Sequence, residues 1–230
     1  MFSIKNSNHT INEGRYTMIN QIRINAIQSI MNEAGEAIMD IYKRDFDFQT
    51  KDDNSPLTLA DQNSNHIILS RLKELYPDIP YISEETKHTT YEERKNWEYF
   101  WLIDPLDGTK EFIKKNGEFT INIALIHINI PVFGMVGVPA KKFLYYALKH
   151  QGSYKIENNQ KEKKIFANKE KDKNKLTVVG SRSHGIEELN KYIEKKKDEY
   201  EAVELISVGS ALKFCLVAEG KADIYPRLGP

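Results

Sequence analysis

Trp101-Leu102-Ile103-Asp104-Pro105-Leu106-Asp107-Gly108-Thr109-Lys110-Glu111-Phe112 is the stretch on which the reading of this chain turns. An apolar strand runs directly into two carboxylates three residues apart, followed by a glycine and a hydroxyl. Asp104 and Asp107 can face one ion across the turn, with the Leu106 carbonyl between them as a third oxygen. An all-oxygen set of this kind suits magnesium, which takes a few carboxylates and completes its shell with water and substrate phosphate. Gly108 lacks a Cβ where the backbone must turn tightly or approach a ligand. A helix beginning near Thr109 would aim its free amides and positive dipole end at an anion. The competing reading is an ordinary Asp-Gly turn after an apolar run, since Asp-x-x-Asp alone discriminates poorly.

Two upstream segments strengthen the first reading. Tyr81-Ile82-Ser83-Glu84-Glu85 is a short apolar strand ending in adjacent glutamates. If that strand ends beside the one carrying Asp104, Glu84 reaches the same ion; otherwise it belongs to a solvated acidic loop. Farther back, Asp61 falls in the expected first turn of a helix over residues 59–75 with apolar positions at Ile67, Ile68, Leu69, Leu72 and Leu75. There it either complements the helix dipole or orients the Thr109 hydroxyl toward a metal-held water.

Taken together, SPLTLAD (55–61), SEE (83–85), DPLDGTKEF (104–112), GSRSH (180–184) and SALKFCLVAEGKADIYPRLGP (210–230) resemble the inositol monophosphatase superfamily. The Lys110-Glu111-Phe112 extension is similar to its 3'(2'),5'-bisphosphate nucleotidase branch. The resemblance runs from about residue 22 to the last residue. It implies a layered αβαβα sandwich of the inositol monophosphatase type, in which Glu84, Asp104 and the Leu106 carbonyl hold the magnesium that carries the attacking water. Asp61 and Thr109 would polarise that water, and Asp104 with Asp107 would share a second magnesium at the leaving oxygen, the logic of a two-metal in-line displacement. On the substrate side it implies Gly108, Thr109, Ser183, His184, Ser210, Lys213 and Arg227, with Lys213 and Arg227 taking the phosphate that is recognised but not hydrolysed. From the residues alone, Lys213 could equally be an exposed helix lysine, Arg227 a loop cation and His184 a helix N-cap neighbour.

The pattern departs from the family at its end. Family members continue past the Arg-x-Gly-Pro segment into a Trp-Asp pair whose aspartate completes the second metal site, whereas this chain reaches Pro230 first. The expectation is a sandwich truncated at its C-terminus, a leaving-group ion held by Asp104 and Asp107 alone, and strongly reduced turnover.

Composition fits a compact enzyme. The 230 residues are 40% hydrophobic and 29% charged with a net charge of zero, so nothing favours bulk binding to a nucleic acid polymer or a membrane. Cys215 is the only cysteine, which rules out an internal disulfide, and its apolar neighbours predict a buried thiol. The chain shows neither a secretory signal nor an 18-residue apolar run long enough to span a bilayer. The expected location is cytoplasmic, and peripheral inner-membrane association is compatible with it. The oligomeric state stays open.

The coarse pattern divides the chain into an α+β half and an α/β half. Residues 1–154 supply the metal ligands, with a long amphipathic helix over about 17–43 and strands at 79–82, 98–103, 118–128, 132–138 and 142–148. Residues 155–175 carry eight lysines against four acids and are expected as a solvated hairpin or linker. Residues 176–230 alternate strand 176–180, helix 185–197, strand 201–207, helix 209–219 and strand 222–226, forming an incomplete α/β substrate-binding half. The site is expected at the junction of the two. The leading function implied by the resemblance is a magnesium-dependent phosphomonoesterase that hydrolyses adenosine 3',5'-bisphosphate, with its sulfated form as a further candidate substrate. The resemblance adds a role in sulfur assimilation and inhibition by lithium. The alternatives are an inositol monophosphatase and a nucleotide-binding protein without catalysis.

Overall fold

Apolar residues recur every three or four positions from Ile27 to Ile41, and that stripe folds as helix α1, Ile24–Tyr42, burying Ile27, Ile30, Met31, Ala34, Gly35, Ile38 and Ile41. The computed structural model describes residues 22–44, 55–86, 89–158, 160–169, 174–182 and 185–228, so the expected start of this helix lies outside them. Helix α2, Pro56–Leu75, is capped by Ser55, whose side chain accepts the Thr58 amide at 3.2 Å. Pro56 stands in the first turn, where its missing N–H is no loss. The helix therefore begins earlier than residue 59, and Asp61 lies beyond the first turn, which contains no acid. The dipole role considered for Asp61 is corrected accordingly, because that effect fades within one turn.

Strand β1, Tyr81–Ser83, is followed by the short helix α3, Tyr91–Arg94, and by β2, Tyr99–Asp107. Helix α4, Thr109–Ile113, leads into β3, Thr120–His127, β4, Ile130–Val138, β5, Phe143–Leu148, β6, Gly152–Glu157, and β7, Lys163–Ile165. These seven strands form one sheet in chain order. β1 and β2 are parallel and every later pair is antiparallel. Trp101, Ile103, Ile121, Ile123, Leu125, Phe133 and Met135 share one buried core with the apolar faces of α1 and α2. Helices therefore cover one face of this sheet.

The second layer is smaller. β8, Lys175–Ser181, pairs in parallel with β9, Ala202–Val208, around helices α5, Ile186–Lys197, and α6, Leu212–Ala218. The strand expected at 222–226 is reduced to one bridge between Val178 and Ile224. Asp223 explains why: its carboxylate takes the Thr177 amide at 2.7 Å, where a ladder bond would otherwise form.

The lysine-rich stretch folds in part as the hairpin β6–β7, and it departs from the expected solvated character at Lys155. Lys155 is buried, with Nζ 2.6 Å from Glu157 and 2.9 Å from Glu219 and 4.2 Å from the Phe143 ring centroid. Burial alone would lower its pKa, but the bonds to Glu157 and Glu219 raise it. Glu219 follows α6, so this pair fastens the first sheet to the second layer, beside a small core of Val138, Tyr145, Leu212 and Cys215. Burial pushes the Cys215 thiol up to about 12, as an inert core cysteine requires. Among the described residues, no helix is long and apolar enough to cross a membrane.

Candidate metal and phosphate site

In an undisturbed strand, Asp104 and Asp107 would point to opposite faces, because side chains alternate and three is an odd spacing. The register shows how β2 avoids this. Asp104 pairs with Asn122 and Asp107 with Thr120, so three steps on β2 match two on β3 across a bulge. Bulges re-aim side chains in this way. Both carboxylates now share the face of Asn122 and Thr120. Asn122 Nδ2 donates to Asp104 Oδ2 at 3.4 Å, and Thr120 Oγ1 donates to Asp107 Oδ2 at 3.4 Å. The Leu106 amide also donates to Asp104, while the Leu106 side chain is buried.

The parallel pairing of β1 with β2 brings the remaining acids. Ser83 lies opposite Ile103, and the Glu84 amide donates to the Ile103 carbonyl at 3.2 Å, so Glu84 stands beside Asp104. Two buried hydrogen bonds fasten α2 to this strand pair. Ser64 Oγ donates to the Pro105 carbonyl at 2.9 Å, and Ser83 Oγ donates to Asn65 Oδ1 at 2.7 Å. Asp61, one turn earlier, is thereby set against the same acids. Burial, then Glu85 through repulsion and a shared hydrogen bond, then Asp104 and Glu84, push its carboxyl up to about 8. Burial and repulsion from Asp107 and Glu84 push Asp104 up to about 7 against the bonds from Asn122 and Leu106. Five acidic side chains, Asp61, Glu84, Glu85, Asp104 and Asp107, are thus gathered at the end of β2. Glu85, which the motif reading passed over, is the described partner of Asp61; Thr109 is exposed at the start of α4, a helix of five residues.

The second layer closes on this cluster through residues 209–211. The Ala211 amide donates to Asp107 Oδ2 at 2.6 Å, and Ser210 Oγ donates to the Glu118 carbonyl at 2.5 Å. Gly108, at φ +100°, lies against this loop, since a Cβ there would stand 3.2 Å from Ser210 Cβ and equally near Glu111 Oε2 and Phe119 Cα. Lys213 is buried, in contrast to an exposed helix lysine. Its Nζ donates to the Ser210 carbonyl at 2.7 Å and stands 5.6 Å from the Tyr225 ring centroid. Arg227 is exposed and its Nη1 meets the Tyr225 hydroxyl at 3.5 Å. The structure therefore brings Gly108, Ser210 and Lys213 together beside Asp107, whereas Arg227 is joined to them through Tyr225. Ser183 and His184 lie outside the described residues. Tyr225 lies within the 210–230 motif, where the sequence assigns it no role, whereas Glu118 belongs to none of the motifs and only the fold reveals it.

A model of the inositol monophosphatase family matches residues 19–230 of this sequence. The chain belongs to the inositol monophosphatase family. It is 45% identical over 203 residues to the 3'(2'),5'-bisphosphate nucleotidase CysQ of Salmonella typhimurium, covering 87% of this chain and 78% of that one. Identity to the protein of that name from Escherichia coli strain K12 is 42% over 209 residues, covering 90% and 81%. The crystal structure of CysQ from Bacteroides thetaiotaomicron, a bacterial member of the same family, superposes with a TM-score of 0.79 at 40% identity, covering 94% of this chain and 82% of that one. The fold is thus the mixed α/β fold of inositol monophosphatases.

Inositol monophosphatase family members are metal-dependent phosphatases. Among the described residues, no three His, Cys, Asp or Glu side chains are preassembled around one ion position. The fit rests instead on unfilled oxygens. Asp61 Oδ1, Asp104 Oδ1 and Asn122 Oδ1 are buried without a hydrogen-bond partner. Buried oxygens left in this state are costly, and mutual repulsion already raises two of the acids. A hard cation with oxygen preference relieves both conditions, so the donor set suits the group that the family requires. Glu84, Asp104 and Asn122 also line one end of a cavity of about 460 Å³.

Proposed function

We propose that this chain is a magnesium-dependent 3'(2'),5'-bisphosphate nucleotidase that hydrolyses adenosine 3',5'-bisphosphate to AMP and phosphate in the cytoplasm. The observation that carries the chemistry is the bulged end of β2, which turns Asp104 and Asp107 to one face among orphaned oxygens. The substrate class rests on the names of relatives at 42–45% identity. Glu84, Asp104 and the Leu106 carbonyl would hold one magnesium ion, and Asp104 with Asp107 a second. When bound, these ions would supply an activated water and neutralise charge at the leaving oxygen. Asp61 and Thr109 would polarise the attacking water as a hydrogen-bonded pair, with the Asp61 carboxylate as the group that takes its proton. Gly108 lets the chain approach the transferred phosphate without a Cβ in the way. Lys213 and Arg227 would hold the second phosphate, Arg227 through its planar fork and Lys213 as a point charge. Ser183, His184 and Ser210 complete the nucleotide contacts carried over from the motif. The sulfated nucleotide belongs to the same substrate class, and lithium would compete for a magnesium position.

Phosphate release from adenosine 3',5'-bisphosphate, measured with magnesium against inositol 1-phosphate, tests the reading. The expected result is preference for the nucleotide and loss of release in Asp104→Asn. Preference for inositol 1-phosphate would move the chain to the other branch of the family. Tight nucleotide binding without release at any magnesium concentration would leave a binding protein.

A further inference from the structure

Glu118 is a carboxylate with no place in the motif, yet it is 7% exposed and sits where the two sheets meet. Arg182 Nη2 reaches both of its oxygens, at 3.0 and 3.2 Å, and also donates to the Ser207 carbonyl at 2.6 Å. Lys141 Nζ stands 3.9 Å from Oε1. The Gly209 amide donates to Oε2 at 3.0 Å, and the Glu118 carbonyl takes the Ser210 hydroxyl at 2.5 Å. The next residue, Ala211, donates its amide to Asp107 Oδ2 at 2.6 Å. Residues 209–211 are therefore held at three consecutive points, two by Glu118 and the third by Asp107.

This geometry has a chemical consequence. A buried carboxylate balanced by cations and an amide is rigid, because each of its bonds would be costly to leave unmade. Ser210 is held at φ +50°, a conformation a non-glycine residue keeps only where its surroundings fix it. Ala211 in turn occupies Oδ2 of Asp107 together with Thr120, so a cation at this carboxylate would take its other oxygen.

We propose that Glu118 is a positioning residue for the cation at Asp107, acting through the 209–211 loop. The inference rests on the phosphatase reading above. It predicts that Glu118→Ala weakens magnesium affinity by about tenfold, the scale of lost outer-shell support, with the same shift in the magnesium concentration for half-maximal phosphate release. Glu118→Gln keeps the size of the side chain and an acceptor for Gly209 and falls between that variant and the wild type; it carries the test if the alanine variant does not fold. Calorimetric titration with magnesium alone supplies the affinity. The Ala211 amide resonance supplies a readout independent of turnover, since loss of the short bond to Asp107 moves it upfield. Leu189→Ala is the control, because it empties a core position between α5 and β8 and destabilises the fold without touching the loop. Wild-type magnesium affinity and an unmoved Ala211 resonance in both Glu118 variants would overturn the proposal, as would an equal affinity loss in Leu189→Ala. A wild-type protein that neither binds magnesium nor releases phosphate would remove the phosphatase reading as well. Normal wild-type behaviour with unaffected variants would remove only the positioning role.

Discussion

Magnesium binding should expel protons from this site, and their number should depend on pH in a defined way. Without a cation, the Asp61 carboxyl is pushed up to about 8 and that of Asp104 to about 7, from an ordinary 3.8. A cation held by these oxygens requires the deprotonated forms, so the protons carried by Asp104 and by the Asp61–Glu85 pair must leave on binding. Those values give release of about two protons near pH 5.5, about one near pH 7.5 and almost none by pH 9.5. Calorimetric titration in buffers of different ionisation enthalpy measures the count. Stability must follow the same linkage. Both folded-state values are raised, so the metal-free protein binds more protons than its unfolded chain between about pH 4 and pH 8. Their stabilising contribution is complete below the unfolded value and is lost as pH rises through 7 and 8. Metal-free Tm should therefore fall from pH 6 to pH 8.5, and magnesium should restore more stability at the higher pH. A proton count near zero at pH 5.5, or a metal-free Tm that rises over that interval, would refute the carboxylate assignment.

Two further substitutions probe the frame around the site. Gly108→Ala places a Cβ at φ +100° and 3.2 Å from Ser210 Cβ, Phe119 Cα and Glu111 Oε2. It should cost about 1–3 kcal/mol and depress phosphate release by displacing the Ser210 loop; unchanged stability in a urea titration would count against the close approach. Lys155→Met removes one partner of Glu219, whose side chain is 7% exposed and which keeps the Tyr145 hydroxyl and Lys221, and should cost about 2 kcal/mol or about 4–8 °C in Tm. The midpoint for magnesium should stay where it is, and a loss below about 1 kcal/mol would show the pair to be solvated.

What the sequence reveals here is whatever is local. The carboxylates, the glycine turn and the strand before them lie within twelve consecutive residues, so their chemistry is legible without a fold. The bulge is not, because it exists only as a register between β2 and β3. Helix α2 was expected to start too late because Ser55-Pro56, a cap followed by a first-turn proline, precedes the apolar periodicity. Strand β6 has one lysine, Lys155, whose burial depends on Glu157 beside it and on Glu219, 64 residues away. Glu118 escaped notice for the same reason. Its partners are Arg182 and Gly209, at separations of 64 and 91 residues, and no spacing rule joins them.

Asp107 belongs to both kinds of information at once. It is part of the local motif at the end of β2, yet it accepts the amide of a residue 104 positions later. A cation drawn to the cluster therefore acts on the contact between the two sheets as well as on phosphate chemistry. Glu118 reinforces that coupling, since it stands on the approach to β3 and binds the loop that follows β9. Lys155 fastens the same two layers at Glu219, with no carboxylate of the site among its partners. One fastening can hold the layers together while the other responds to the ion. Disturbing Lys155 should thus change how firmly the layers join, whereas disturbing Glu118 should change what the joined layers can bind.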